Sequence, residues 1–141
     1  MTIKEIQEEI IDEFSMFDDW MERYEYIIDL GKSLPLIDEL HKVDDNLIKG
    51  CQSKVWLHSE VNDDTIKYTA DSDAILTKGI VALLLRVFSG QNPKDIVEAD
   101  TTFIDEIGLK EHLSPTRANG LVSMVKQIKL YAIAQQANLN S

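Results

Sequence analysis

Cys51 is the only cysteine in this chain. It lies in the stretch Ile-Lys-Gly-Cys-Gln-Ser-Lys-Val-Trp (48–56), behind Gly50 and ahead of Gln52 and Ser53. An unperturbed thiol is only about 3% thiolate at pH 7, so a working nucleophile needs positive charge, hydrogen-bond donors or a nearby base. Lys49 and Lys54 flank the cysteine, and Gln52, Ser53 and the amides of a tight turn add hydrogen-bonding groups. From position alone two readings stay open: a small buried hydrophobe, or an activated thiol on a loop tip. The lysines likewise read either as solvated charges or as the source of local positive potential.

A hydrolytic or acyl-transfer cysteine requires a positioned base, and the histidines are His41, His58 and His112. His58 is on the expected strand after the cysteine, where three extended residues already carry side chains roughly 10 Å apart. His41 and His112 are not placed by the sequence. One cysteine and three scattered histidines show none of the paired spacings of zinc or iron–sulfur sites, so no metal site is expected. "DSDAILTKG" (71–79) lacks the glycine and the terminal glutamate of a calcium loop and reads as a helix cap. Arg117 stands in the first turn of the expected last helix, where the macrodipole opposes a cation, so an acid of this chain or of a partner must favour it there. Gly120 in the same helix costs about 1 kcal/mol relative to alanine and hints at close backbone approach by another element.

The elements that position these residues follow from periodicity and punctuation. Thr2 and Glu5 form a capping box ahead of Ile3, Ile6, Ile10 and Phe14 at helical spacing. A second helix over 18–31 carries Trp20, Tyr24, Ile27 and Ile28 on one face and stops at Gly31 as a C-terminal cap. An irregular connection around Pro35 leads to the cysteine, and alternation over 55–61 and 66–70 across "NDDT" predicts an antiparallel hairpin. A broad apolar helix follows, with Ile75, Leu76, Ile80, Leu83, Leu84, Val87 and Phe88 on its face. Asn92 with Pro93 opens a set of short helical turns. Ser114 with Pro115 opens the last helix, whose inward residues are Leu121, Met124, Val125, Ile128 and Ala132. The fold class expected is α+β, a small antiparallel sheet packed against helices, in one domain over 1–141.

The 14 basic and 25 acidic residues give a net charge of −11, which disfavours nucleic acid and anionic membranes as partners. The apolar run "GIVALLL" is far shorter than a membrane span, the acidic N-terminus has no signal-peptide pattern, and a lone cysteine fits a reducing cytoplasm.

"GCQSKVW" (50–56), "DSDAILTKG" (71–79) and "LSPTRANGL" (113–121), with "WMERYEYIIDLGKSLP" (20–35), resemble in order and spacing the characteristic segments of the SufE family of sulfur-acceptor proteins. Thr116 departs mildly from the serine of that pattern. The resemblance implies a fold shared with IscU-type scaffolds. It implies a protein that is not a stand-alone enzyme but activates a cysteine desulfurase, SufS-type or a paralogue. Such a protein takes sulfane sulfur on Cys51 as a persulfide and passes it to the SufBCD scaffold for iron–sulfur cluster assembly. It implies no resident cofactor, the pyridoxal phosphate belonging to the desulfurase, and leaves monomer and homodimer both open. Gly50, Gln52, Ser53 and Asp71 or Asp73 are then expected to support the cysteine loop, and Arg117, Lys49 and Lys54 to face the partner. One thiol can carry sulfur but cannot hold a cluster alone. The competing readings are a stand-alone cysteine-nucleophile hydrolase using Cys51 with His41 or His112, and an adaptor with an inert cysteine.

Overall fold

Thr2 accepts the amide of Glu5 and Glu5 caps Thr2 in return, so the first helix, α1 (Ile3–Ser15), starts where the capping box predicts. The computed structural model describes residues 1–139. Asp19 caps α2 (Trp20–Gly31) through the amide of Glu22 at 2.9 Å. Two short 3₁₀ turns (Glu39–His41 and Asp44–Asn46) break the irregular connection. The hairpin is β1 (Val55–Asn62) against β2 (Thr65–Ser72) in antiparallel register Val55↔Ser72 to Asn62↔Thr65. Its turn places Asp63 at φ 58°, where aspartate is better tolerated than most residues. The helices α3 (Ile75–Phe88), α4 (Pro93–Glu98), α5 (Thr102–Glu106), α6 (Leu109–His112) and α7 (Pro115–Leu139) complete the α+β architecture.

Val55 and Leu57 from β1 and Ile66, Tyr68 and Ala70 from β2 are buried on one face of the hairpin, as the alternation requires. The Tyr68 hydroxyl, inside the core, donates to the Ile128 carbonyl at 2.7 Å and so ties the hairpin to α7. Nearly all of α3 is buried. Arg86 on that helix emerges to meet Glu9 and Glu13 of α1, with the Glu13 contact at 2.9 Å, and the guanidinium holds the Glu13 carboxyl below its usual range.

Three local expectations differ from the structure. Gly31 does not turn left-handed to end α2; Lys32 is the cap, in right-handed conformation. Gly31 is instead buried against the Gly79 backbone, 3.1 Å from where its own Cβ would lie, so it is a contact glycine. The acids before α3 do not cap it, because Asp71 and Ser72 still belong to β2 and Asp73 points back to the cysteine loop. Ile75, in the first turn of α3, is 69% exposed, since the broad apolar face begins only at Leu76.

Candidate functional site

The cysteine loop, residues 49–54, is tied at both feet. The Ile48 amide donates to the Val55 carbonyl at 2.8 Å. The Lys54 amide donates to Asp73 Oδ1 at 3.0 Å while the Asp73 amide returns a bond to the Lys54 carbonyl at 3.3 Å. Gly50 sits at φ +93°, a conformation that costs other residues about 1 kcal/mol or more, and a Cβ there would lie 2.6 Å from Ser123 Oγ on α7. The loop tip therefore leans on α7, with glycine required twice over.

Cys51 rests on Gly120. Its Sγ donates a weak bond to the Gly120 carbonyl at 3.6 Å, and a Cβ on Gly120 would meet Sγ at 3.5 Å and Cys51 Cα at 3.7 Å. This is the close approach that a glycine inside α7 foretold. The thiol is half-buried in a cavity of about 240 Å³, lined by Gln52 and Ser53 from the loop, Thr77 and Ile80 from α3, and Thr116, Arg117, Gly120 and Met124 from α7. Of these only Gln52, Ser53, Gly120 and Arg117 were marked by sequence. Ile80 and Met124 carry helical core periodicity, and neither they nor Thr77 give a sign in sequence of lining a site.

Burial pushes the Cys51 thiol above its ordinary pKa, since a thiolate is poorly solvated there. Neither flanking lysine offsets this. Lys49 and Lys54 are exposed, neither lines the cavity, and neither forms a salt bridge among the described residues. Gly120 lies beyond the first turn of α7, where the helix dipole has largely faded. Alkylation of Cys51 in the isolated protein is therefore expected to rise with pH to a midpoint above that of a free thiol, and to be slower than a free thiol at neutral pH; a midpoint at or below the free-thiol value would contradict the sheltered thiol.

Asp73 is the acid that supports the loop. Asp71 serves elsewhere: it pairs with Lys42 at 2.9 Å and Lys78 at 3.4 Å, which holds its carboxyl low despite partial burial, and Lys42 lies 4.7 Å over the Trp56 ring. Arg117 is exposed, with its amide on Ser114 Oγ at 3.3 Å and no salt bridge to its side chain among the described residues. Among the described residues, no intramolecular acid pairs with it.

No histidine lines the cysteine cavity among the described residues. His112 stacks on Trp20 at 3.7 Å, with Nδ1 on the Gly108 carbonyl at 3.1 Å. His41 stacks on His58 at 3.8 Å.

A family model described as "SufE: Fe-S metabolism associated domain" matches residues 8–132. The chain belongs to the SufE family. Among curated relatives, an uncharacterized SufE-like protein of Rhizobium meliloti is 42% identical over 127 residues, covering 86% of this chain and 91% of that one. A SufE-like protein of Synechocystis is 39% identical, covering 90% of this chain and 80% of the relative. A solution structure of a hypothetical protein from Thermus thermophilus superposes with TM-score 0.77 over 96% of this chain and 97% of that one; at 18% identity it shows the shared fold. Membership of the SufE family places the chain in iron–sulfur metabolism. Among the described residues, no helix is long and apolar enough to cross a membrane.

Proposed function

We propose that this SufE-family chain is a one-domain cytoplasmic sulfur carrier, not a stand-alone enzyme. It docks on a cysteine desulfurase, takes one sulfane sulfur on Cys51, and hands it to the SufBCD scaffold. The observation that carries the reading is a sole, half-sheltered thiol on an anchored loop, in a cavity with an unpaired arginine and no base. In the transfer the Cys51 thiolate attacks the outer sulfur of the desulfurase persulfide. A bond forms between Cys51 Sγ and that sulfur, the donor S–S bond breaks, and the donor cysteine leaves as a thiolate, with no net oxidation. The receiving protein needs no general base of its own, so the absence of a histidine beside Cys51 weighs against hydrolysis and not against relay.

A thiol whose pKa is raised by burial is protected from oxidation while free. Docking must therefore expose it or bring positive charge to it. Intact-mass analysis after incubation with a desulfurase and cysteine tests the reading: one added sulfur, removable by reductant, is expected, and none would refute it.

Arg117 is exposed, lines the same cavity and forms no ion pair among the described residues, and it faces the desulfurase in this reading. Arg117→Ala is expected to raise the concentration needed for half-maximal desulfurase stimulation about tenfold, or ~1.4 kcal/mol, the scale of one interface arginine. Its thermal midpoint should not move. Unchanged stimulation and affinity would remove Arg117 from the interface.

A further inference from the structure

On the outer face of β1, opposite the core, Trp56, His58 and Glu60 alternate outward, and the chain just ahead of the cysteine loop lies across them. The His41 ring stacks on the His58 ring at 3.8 Å and 8°. His58 Nε2 lies 3.3 Å from Glu60 Oε1. One ligand-type atom from each of His41, His58 and Glu60 falls within 4.8 Å of the others. Both histidines are half-buried and Glu60 is exposed.

We propose that His41, His58 and Glu60 form a binding site for a divalent transition-metal ion of the zinc class. Two imidazoles and one carboxylate are the borderline-soft donor set that such ions take, and hard ions such as calcium and magnesium do not favour it. With bonds of 2.0 to 2.1 Å, tetrahedral ligand atoms stand roughly 3.3 Å apart. The His58–Glu60 pair is already at 3.3 Å, and the His41 ring, now stacked parallel to His58 at 8°, must turn out of the stack to bring its nitrogen lone pair onto the same ion. Neutral imidazole is the ligating form.

The surroundings favour an ion here. Asn46 donates its side-chain amide to the His41 carbonyl and so fixes the backbone that presents the ring. The neighbouring cation, Lys42, is engaged by Asp71 at 2.9 Å and does not compete for Glu60. Lys67 opposes Glu60 on β2 but forms no salt bridge with it among the described residues. The net charge of −11 adds a favourable field. Three protein ligands leave the fourth position to water. An ion held there joins the 3₁₀ turn Glu39–His41, which leads into the cysteine loop, to β1, which leaves it. The site is separate from the thiol, and its existence does not depend on sulfur relay.

The test is titration of chelator-stripped full-length protein with zinc by calorimetry, and with cobalt by visible absorption, followed by proton NMR of the histidine rings. One ion per chain is expected, with resonances of His41 and His58 shifted and those of His112 unmoved, and a raised thermal midpoint in zinc. Loss of a mere supporting group around a metal ligand already weakens binding 10–100-fold, so His58→Ala and His41→Ala should each weaken it by about 100-fold or more, and Glu60→Gln by about tenfold. His41 lies on a surface turn, so His41→Ala remains informative if His58→Ala fails to fold. Cys51→Ser should bind as the parent does. No binding at millimolar zinc, binding undiminished in both histidine variants, or binding lost in Cys51→Ser would each overturn the site.

Discussion

Cys51→Ser is expected to abolish sulfur uptake while the protein still folds and still docks on the desulfurase. The substitution exchanges one atom in a half-buried position, and the serine hydroxyl can donate to the same Gly120 carbonyl that the thiol now meets. Stability should therefore stay within about 1 kcal/mol of the parent. What is lost is the chemistry. A hydroxyl at neutral pH offers no soft anion to attack sulfane sulfur, and no other cysteine exists in the chain to take over. Intact mass should show the added sulfur in the parent and none in the variant, with desulfurase binding retained. Sulfur appearing on the serine variant would end the proposal that residue 51 is the acceptor.

Gly79→Ala should be the most destabilising small substitution in the protein. A Cβ at this buried position would lie 2.1 Å from the Ile27 carbonyl oxygen and 2.8 Å from Ile27 Cγ2, and the first of these is backbone that cannot rotate away. Across the crossing, a Cβ on Gly31 would lie 3.1 Å from the Gly79 amide nitrogen, so α2 and α3 meet there backbone to backbone. To admit a methyl the two helices must move apart along a contact that runs much of their length. Overpacking of this kind costs about 3 kcal/mol, against which the better helix propensity of alanine returns about 1 kcal/mol. A net loss of ~2 kcal/mol lowers the thermal midpoint by roughly 6 °C for a domain of this size. A midpoint equal to the parent's would mean that the helices do not touch there.

Much of the architecture was legible because its causes are local. The Thr2 and Glu5 capping box, Asn92 with Pro93, and Ser114 with Pro115 each mark a helix start by the side chain that satisfies an orphan amide or by a ring that needs none. The hairpin was legible because buried Val55 and Leu57 alternate with outward Trp56 and His58. At the site, Gly50 and Gly120 point to a tight turn and a close approach: Gly50 turns at φ +93° against Ser123 of α7, and Gly120 is met by Cys51.

What was not legible depends on contacts between distant parts of the chain. Gly31 ends its helix in sequence like a cap, yet it is needed for the crossing with Gly79. Asp71 and Asp73 look alike two residues apart, but Asp71 lies inside β2 and pairs with Lys42, whereas Asp73 lies just past the end of the strand and turns to the Lys54 amide. The flanking lysines suggested an activated thiol, whereas the fold directs them to solvent and leaves burial as the dominant influence. His41 and His58 carry no ligand spacing in sequence and come together only because a 3₁₀ turn folds over β1.

The double anchoring of the cysteine loop limits how far its sulfur can travel. From either fixed end, at Ile48 or at Lys54, about three residues reach the cysteine, so full extension allows an excursion of roughly 10 Å while those bonds hold. A long sweep between distant sites is outside that range. In the proposed relay, the protein that loads the cargo and the one that unloads it would both come to nearly the same spot on this surface and so visit in turn, which makes the proposed carrier a shuttle between hosts and not a swinging arm within one assembly.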